Sequence, residues 1–263
     1  MIKMLNGAQV LVTRPEHQAE QLSRLIKEMK GVPVRFPTLE IVGLNDSLRI
    51  KNTMEHLDSY QWLIFISANA VSMHGCYADG DKIRKLASTR IAAIGKATAQ
   101  ALKQQGLSVD LVPESGYNSQ ALLAMTDMQE INGQRCLIIR GENGHEELAN
   151  TLRNRGGIVE YLDVYKRIIP NIDSSQVKVM IKQNKLDVVT ITSGEALKNL
   201  LIMVGKSIHQ LLFEIPLVVV SNRIRELAAE IGFKRIVVAQ SPSDNAVLET
   251  VIMCVTGGIA WPK

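Results

Sequence analysis

The sequence lacks the short motifs that usually betray a cofactor. It has no GxGxxG and no Walker-type phosphate loop, so a nucleotide cofactor is not expected. The stretch RGENGHEEL (140–148) resembles such a loop only loosely; it reads as a turn before an acidic helix start at Glu146 and Glu147. No HExxH occurs, and His17, His56, His74, His145 and His209 show no ligand spacing, so no metal site is expected. No GxSxG elbow is present. Cysteine is sparse: Cys76, Cys136 and Cys254 lie far apart and are odd in number, which suits small apolar fillers rather than a disulfide frame. No long Lys/Arg block appears, which argues against nucleic acid as a partner. The opening MIKMLNGAQVLV has too short an apolar run for a signal segment or a membrane span, so a soluble, cytoplasmic protein is expected.

What is present is the material of an ordinary α/β protein. The 263 residues favour two domains, and 46% apolar against 21% charged residues is enough for buried cores. A net charge of +4 is compatible with an anionic small molecule. Short, nearly continuous apolar runs at 9–13, 62–67, 91–95, 109–113, 136–140, 187–192, 217–221 and 235–239 suit parallel strands buried on both faces. Helical stretches alternate with them, among them NAVSMHGCY (69–77), and several end at Gly31, Gly106, Gly156 or Gly232, natural positions just past a helix end. The Met residues of MHGCY and LIMVG fall at core spacing.

The chain also resembles itself. Ser67 matches Ser193, Gly95 matches Ser221, Gly106 matches Gly232 and Ser115 matches Ser241, each pair 126 residues apart. One offset held at four landmarks points to two copies of one α/β half. Two extended stretches, VPVRFPTLEIVGL and GIVEYLDVYKRIIPNI, fall where one half gives way to the other. The expected topology is therefore a domain of residues 1–36 plus 171–263 with a second domain, 40–165, inserted into it. Residues 37–39 and 166–170 would be antiparallel connecting strands.

In open parallel sheets, ligands sit beyond the carboxyl ends of the strands. Here those ends carry Thr13–Arg14–Pro15, Ser67, Gly95–Lys96–Ala97–Thr98, Ser115–Gly116–Tyr117–Asn118, Arg140–Gly141, Ser193, Ser221–Asn222–Arg223 and Ser241–Pro242–Ser243–Asp244. The small hydroxyl and amide residues have two readings. They cap helices, or, taken as a set, the helix starts form a rim of N–H donors for a ligand with several carboxylates. Tyr165 stands apart on the stretch YLDVYKRIIP. Alternation places it on one strand face with Tyr161, Asp163 and Arg167, either packed at a hinge or aimed at a ligand as a hydrogen-bond donor.

Taken in order, VLVTRP, ISANAV, IGKATAQAL, P…YNSQALL, IIRGENG, VYKRIIP, ITSGEAL and VVSNRIRELAAEIG resemble the uroporphyrinogen-III synthase family along nearly the whole chain. The resemblance implies two flavodoxin-like or Rossmann-like parallel-sheet domains joined by a two-stranded β-ladder, with the active site in a cleft between them. It implies a cofactor-free reaction: hydroxymethylbilane, a linear tetrapyrrole with eight carboxylates, loses water and closes to uroporphyrinogen III with ring D inverted, in haem and sirohaem biosynthesis. The family's cleft tyrosine matches Tyr165, as donor to the departing hydroxyl. Its strand-end serines match Ser67 and Ser193, and its helix-start threonine matches Thr98, all as carboxylate binders, with Asn118 in the same group. The corner of the second copy matches Ser221, Asn222 and Arg223; relatives often have a threonine pair there, and this chain has Arg223 and Ile224. Arg14 is expected to pair with a substrate acid. A monomer is expected from the family. The rival readings are a non-catalytic two-lobed anion-binding module and an enzyme acting on a sugar phosphate.

Overall fold

The computed structural model describes residues 4–44, 47–73 and 89–261. His74 and Cys76, with the end of the helical stretch expected over 69–77, lie outside the described residues. Ten strands follow the chain: β1 (Gln9–Val12), β2 (Val32–Arg35), β3 (Glu40–Gly43), β4 (Trp62–Phe65), β5 (Arg90–Ala93), β6 (Arg135–Gly141), β7 (Ile158–Ile168), β8 (Val188–Ile191), β9 (Leu217–Val219) and β10 (Ile236–Val238). They form two five-stranded sheets, in spatial order β2-β1-β8-β9-β10 and β3-β7-β6-β4-β5. The chain divides into two compact units that correspond to these sheets. The first takes the chain up to Glu40 and again from Ile168; the second is Ile41–Arg167.

The central strands of each sheet are buried on both faces, which is why they are nearly all apolar, while the edge strands β2 and β3 are partly exposed. In the first unit Leu11, Val189 and Ile191 pack on one side, with Leu197, Leu200 and Phe213. Val10, Val12 and Val188 pack on the other, with Ala19, Leu22 and Ile26 of the helix Glu16–Glu28. The second unit repeats the alternation: Leu63 and Phe65 face one cluster, Trp62 and Ile64 the other. All four strand pairings of the first sheet are parallel. Numbered within its own unit that sheet reads 2-1-3-4-5, the flavodoxin-like order. In the second unit β7-β6-β4-β5 is parallel too, and Leu111 adds an isolated parallel bridge to Ala92 of β5. The layout β7-β6-β4-β5-bridge therefore answers to β2-β1-β8-β9-β10, with β3 added at the far edge.

The 126-residue offset has a structural counterpart. Ser67 and Ser193 both start helices with extended backbone (φ −163° and −150°), and so do Gly95 and Ser221 (φ −176° and −159°). Gly106 and Gly232 both end helices at positive φ, +78° and +122°, where a side chain would be strained. Gly31 differs from expectation: Lys30 takes the left-handed position, φ +60°. Glycine at 31 answers to crowding instead, since a Cβ there would lie 2.7 Å from Leu5 Cδ1 and 2.9 Å from Ile26 Cγ2.

Two expected strands are absent. The run 109–113 makes only the Leu111 bridge, because the Asp110 carboxylate accepts the Ile91 N–H (2.7 Å) and Pro113 has no N–H to give a ladder. Residues 37–39, expected as a connecting strand, carry no strand either. Pro37 cannot donate, the Thr38 N–H and hydroxyl both donate to Thr13 O, and Thr38 O accepts from Asn199 Nδ2 at 2.8 Å. The second stretch, 166–170, continues β7 to Ile168 and then leaves the strand. The chain thus passes between the units at 40/41 and 167/168, at β3 and at the end of β7, which are neighbours in one sheet.

Candidate active site

The carboxyl ends of the strands are where the predicted site residues lie, sorted by unit. At the edge of the second sheet are Ser67 after β4, Thr98 after β5, Asn118 after the Leu111 bridge, and Tyr165 on β7. At the edge of the first sheet are Arg14 after β1, Ser193 after β8, and Ser221, Asn222 and Arg223 after β9.

Most of the small polar residues cap helices. Ser67 Oγ accepts from Ala70 N (3.0 Å), Asn118 Oδ1 from Ala121 N (2.8 Å), Ser193 Oγ from Ala196 N (3.0 Å) and Ser221 Oγ from Ile224 N (3.4 Å). A capping hydroxyl keeps its own O–H free to donate, so capping and anion binding are compatible for the serines. The helix Lys96–Gln104 is different: it starts at Gly95, with no side-chain cap. Its first-turn N–H groups are without the side-chain acceptor that the serine-capped helices have. Thr98, third in that helix, is buried, and no hydrogen bond to its hydroxyl occurs among the described residues. Lys96, exposed at the first position, holds its amine 5.3 Å from the centre of the Tyr117 ring. Tyr117 has φ +38° and is 44% exposed. A cation at a helix N-terminus opposes the helix dipole, so Lys96 and Tyr117 add to the site a positive feature that capping arguments alone did not reveal.

Ser67 and Tyr165 are brought into direct contact. The two hydroxyls are 3.1 Å apart. Tyr165 is only 2% exposed and packs with Leu63, Phe65, Leu137, Ile139, Leu162 and Val164. The expected alternation fails before it reaches this residue. β6 and β7 pair in register from Arg135↔Ile158 to Arg140↔Asp163, and then Gly141 pairs with Tyr165. Val164 is the extra residue of a bulge, and a bulge reverses the parity of everything beyond it. Tyr161 accordingly belongs with Trp62 and Ile138 on the opposite side of the sheet.

That opposite side carries a charged knot. Arg140, with an 8% exposed side chain, donates from Nε to Asp163 (2.9 Å) and from Nη1 to Glu146 (3.0 Å). Its guanidinium lies 3.5 Å from the Tyr161 ring centre, and the Tyr161 hydroxyl donates to the other Glu146 oxygen. The Tyr161 hydrogen bond first, and then Arg140, hold the Glu146 carboxyl below the usual carboxylate range. Burial and the Glu146 bond push the Tyr161 phenol up. Burial opposes the charge on Arg140, but Asp163 and Glu146 outweigh it and the guanidinium is held more firmly protonated. RGENGHEEL is thus a braced turn rather than a phosphate loop.

In the first unit Arg14 differs from expectation. It pairs with Asp244 (2.5 Å) and donates to Pro242 O (3.1 Å), the side chains of Arg14 and Asp244 being 14% exposed. The corner Thr13–Arg14–Pro15 therefore clamps the start of the helix Asp244–Val255. Arg14 and Asp244 also line a hollow of about 550 Å³ with His17, Gln18, Glu20, Gln21 and Arg24, whose mixed charges do not select a poly-acid. Arg14→Ala is expected to lower the free energy of unfolding by about 2 kcal/mol by leaving Asp244 unpaired, less than for a fully buried pair because water reaches both groups. Urea denaturation reads this directly, and an unchanged midpoint would remove the clamp. Arg223, in contrast, is exposed and has no ion pair among the described residues. Ile224, beside it, is buried in the core.

Burial pushes the thiols of Cys136 and Cys254 up to about 12, so neither is a nucleophile at neutral pH. No group of three or more His, Cys, Asp or Glu side chains suited to a metal occurs among the described residues. No helix among them is long and apolar enough to cross a membrane.

Comparison with known proteins gives this geometry a context. Residues 20–249 match the family model described as uroporphyrinogen-III synthase HemD. The uroporphyrinogen-III synthase of Escherichia coli is 28% identical over 243 residues, covering 92% of this chain and 99% of that protein. That of Chlorobaculum parvum is 32% identical over 203 residues, covering 74% and 79%. Among solved structures, a mutant uroporphyrinogen III synthase of Thermus thermophilus superimposes with a TM-score of 0.64 over 95% of this chain and 100% of that one, at 16% identity. The Helicobacter pylori enzyme gives 0.61 over 94% and 98%, also at 16%; both likenesses concern the fold. A family model spanning residues 20–249, on a chain of two five-stranded, largely parallel sheets, leaves one conclusion: the chain belongs to the uroporphyrinogen-III synthase family.

Proposed function

We propose that this chain closes hydroxymethylbilane to uroporphyrinogen III with loss of water and inversion of ring D, as a cofactor-free lyase of tetrapyrrole biosynthesis acting as a cytoplasmic monomer. The observation that carries the reading is the Ser67–Tyr165 hydroxyl pair at the carboxyl end of a parallel sheet, in a chain of this family. The anion-binding module without catalysis is not favoured by that membership.

The substrate's carboxylates call for many donors rather than one strong fork. The open helix start at Lys96–Thr98, the serine hydroxyls at 67, 193 and 221, the amides at Asn118 and Asn222, and the exposed Arg223 are the donors we assign to them. Each helix-end contact contributes about 0.3–1 kcal/mol where it is exposed, so binding is distributed. The chemistry needs little more than a donor and a fixed pose. The electrons of the terminal pyrrole expel the hydroxyl, and a proton from the Tyr165–Ser67 pair lets it leave as water. The resulting azafulvene is attacked by the substituted carbon of ring D, forming a spiro intermediate that reopens and closes with the ring turned over. The proton released as the last pyrrole regains aromaticity restores the phenol. Holding the bilane so that the substituted carbon is the one in reach is catalysis by positioning.

Freshly prepared hydroxymethylbilane, incubated with the purified chain and followed by separation of the uroporphyrin isomers, tests the reading. A large excess of isomer III, formed faster than the spontaneous closure, is expected. Isomer I alone, at the spontaneous rate, would overturn it.

A further inference from the structure

Gly141 has no conformational reason to be glycine: its φ lies outside the left-handed region. Its reason is proximity. A Cβ built there would lie 2.5 Å from both Cε2 and Cζ of Tyr165 and 3.0 Å from Cδ2. Cζ is the ring carbon that carries the hydroxyl, so the contact is made where the phenol's position is decided. The same short segment holds Tyr165 at two further points. Gly141 is its ladder partner across the bulge, and the Glu142 N–H donates to Tyr165 O at 2.8 Å. Without the bulge, the residue at 165 would belong with Tyr161 on the other side of the sheet, away from Ser67. Immediately before the bulge, Arg140 fastens β6 to β7 through Asp163.

We infer that Gly141 is a positioning residue for the reaction: its bare α-carbon admits the Tyr165 ring and sets the phenol hydroxyl against Ser67. The inference rests on the reading that Tyr165 serves the departing hydroxyl. Gly141 touches neither the substrate nor the reacting atoms; it acts through the ring. A methyl group at 141 needs ordinary contact distance, so the ring must retreat by about 1 Å. A misplacement of that size can cost about 10²-fold in rate. The ring cannot yield freely, because it is 2% exposed and packed by Leu162, Val164 and Ile139.

The test is a double-mutant cycle on the full chain with hydroxymethylbilane as substrate: the unaltered protein, Gly141→Ala, Tyr165→Phe and both together. Gly141→Ala is expected to lower kcat by about 10²-fold with KM changed by less than about threefold. In the Tyr165→Phe background the same substitution is expected to change kcat by less than about threefold, since there is no longer a hydroxyl to misplace. Full activity of Gly141→Ala beside a slow Tyr165→Phe overturns the inference and leaves the reading of Tyr165 standing. Losses that multiply in the double variant overturn it as well, because Gly141 would then act independently of the phenol. Full activity of Tyr165→Phe overturns the reading of Tyr165 itself, and this inference with it. Should Gly141→Ala fail to fold, adding Tyr165→Leu, which removes Cε2 and Cζ, is expected to restore a folded chain by circular dichroism; no rescue overturns the contact on which the inference stands.

Discussion

Tyr165→Phe is expected to slow the formation of uroporphyrinogen III by about 10²-fold or more while the protein stays folded. The substitution removes one oxygen and keeps the ring that fills the space beside Gly141. Ser67 loses its hydroxyl partner but still accepts from the Ala70 N–H, so its helix cap survives. The structural cost is that of one part-buried hydrogen bond, about 0.5–1.5 kcal/mol. The kinetic cost is larger because the phenol is the donor we assign to the leaving oxygen, where proton transfer contributes about 10²–10⁴-fold. Measured initial rates of enzymatic closure, with the isomers separated, distinguish the two costs. Because binding is spread over many helix ends, KM should move little. A rate equal to that of the unaltered protein would return Tyr165 to a packing role.

Arg140→Leu is expected to lower the stability of the second unit by about 3 kcal/mol. Arg140 is 7% exposed and serves two carboxylates, one carbonyl and the face of Tyr161. Leucine replaces some of the packing and none of the donors, and it leaves Asp163, 26% exposed, without its partner. Thermal or urea unfolding reads the loss, and a change below about 0.5 kcal/mol would show that the knot is decorative. A pH series adds a second signature. Glu146 has its folded-state value lowered, so its contribution is fully present above the ordinary carboxylate range and is lost as pH falls through the lowered value. Without Arg140 the Tyr161 bond and the weaker pull of the Arg153 charge remain to lower it, and the acid-side loss should shrink.

The parts of this fold that follow from local chemistry could be read from the residues. Runs such as WLIF and VVTI are strands because their side chains are apolar or β-branched, and both are fully buried, the Thr190 hydroxyl donating to Leu11 O. Ser67 and Ser193 start helices because their hydroxyls replace a missing acceptor. The 126-residue offset marked equivalent strand-to-helix corners at 67 and 193 and at 95 and 221, since identical local geometry asks for similar residues. What local pattern does not carry is which partner a group finds. Arg14 follows β1 as expected, but its acid is Asp244, 230 residues away in sequence. The bulge at Val164 leaves no local mark in YLDVYKRI, because valine is an ordinary strand residue and nothing in its type sets it apart as the extra one. Only Gly141, a glycine at a strand end with no turn to make, hints that something large approaches there.

The discontinuity of the first unit has a consequence for how the molecule is made. Its central pairing, Val10↔Val188, joins β1 to a strand translated 178 residues later. Every strand of the inserted unit is synthesised before β8, so that unit can begin to fold while β1 still has a bare edge. Early completion of the insert in turn helps its host. Once β3 and β7 lie side by side, the long intervening chain no longer counts as slack, and the entropic cost of bringing β1 and β8 together falls to that of a much shorter tether.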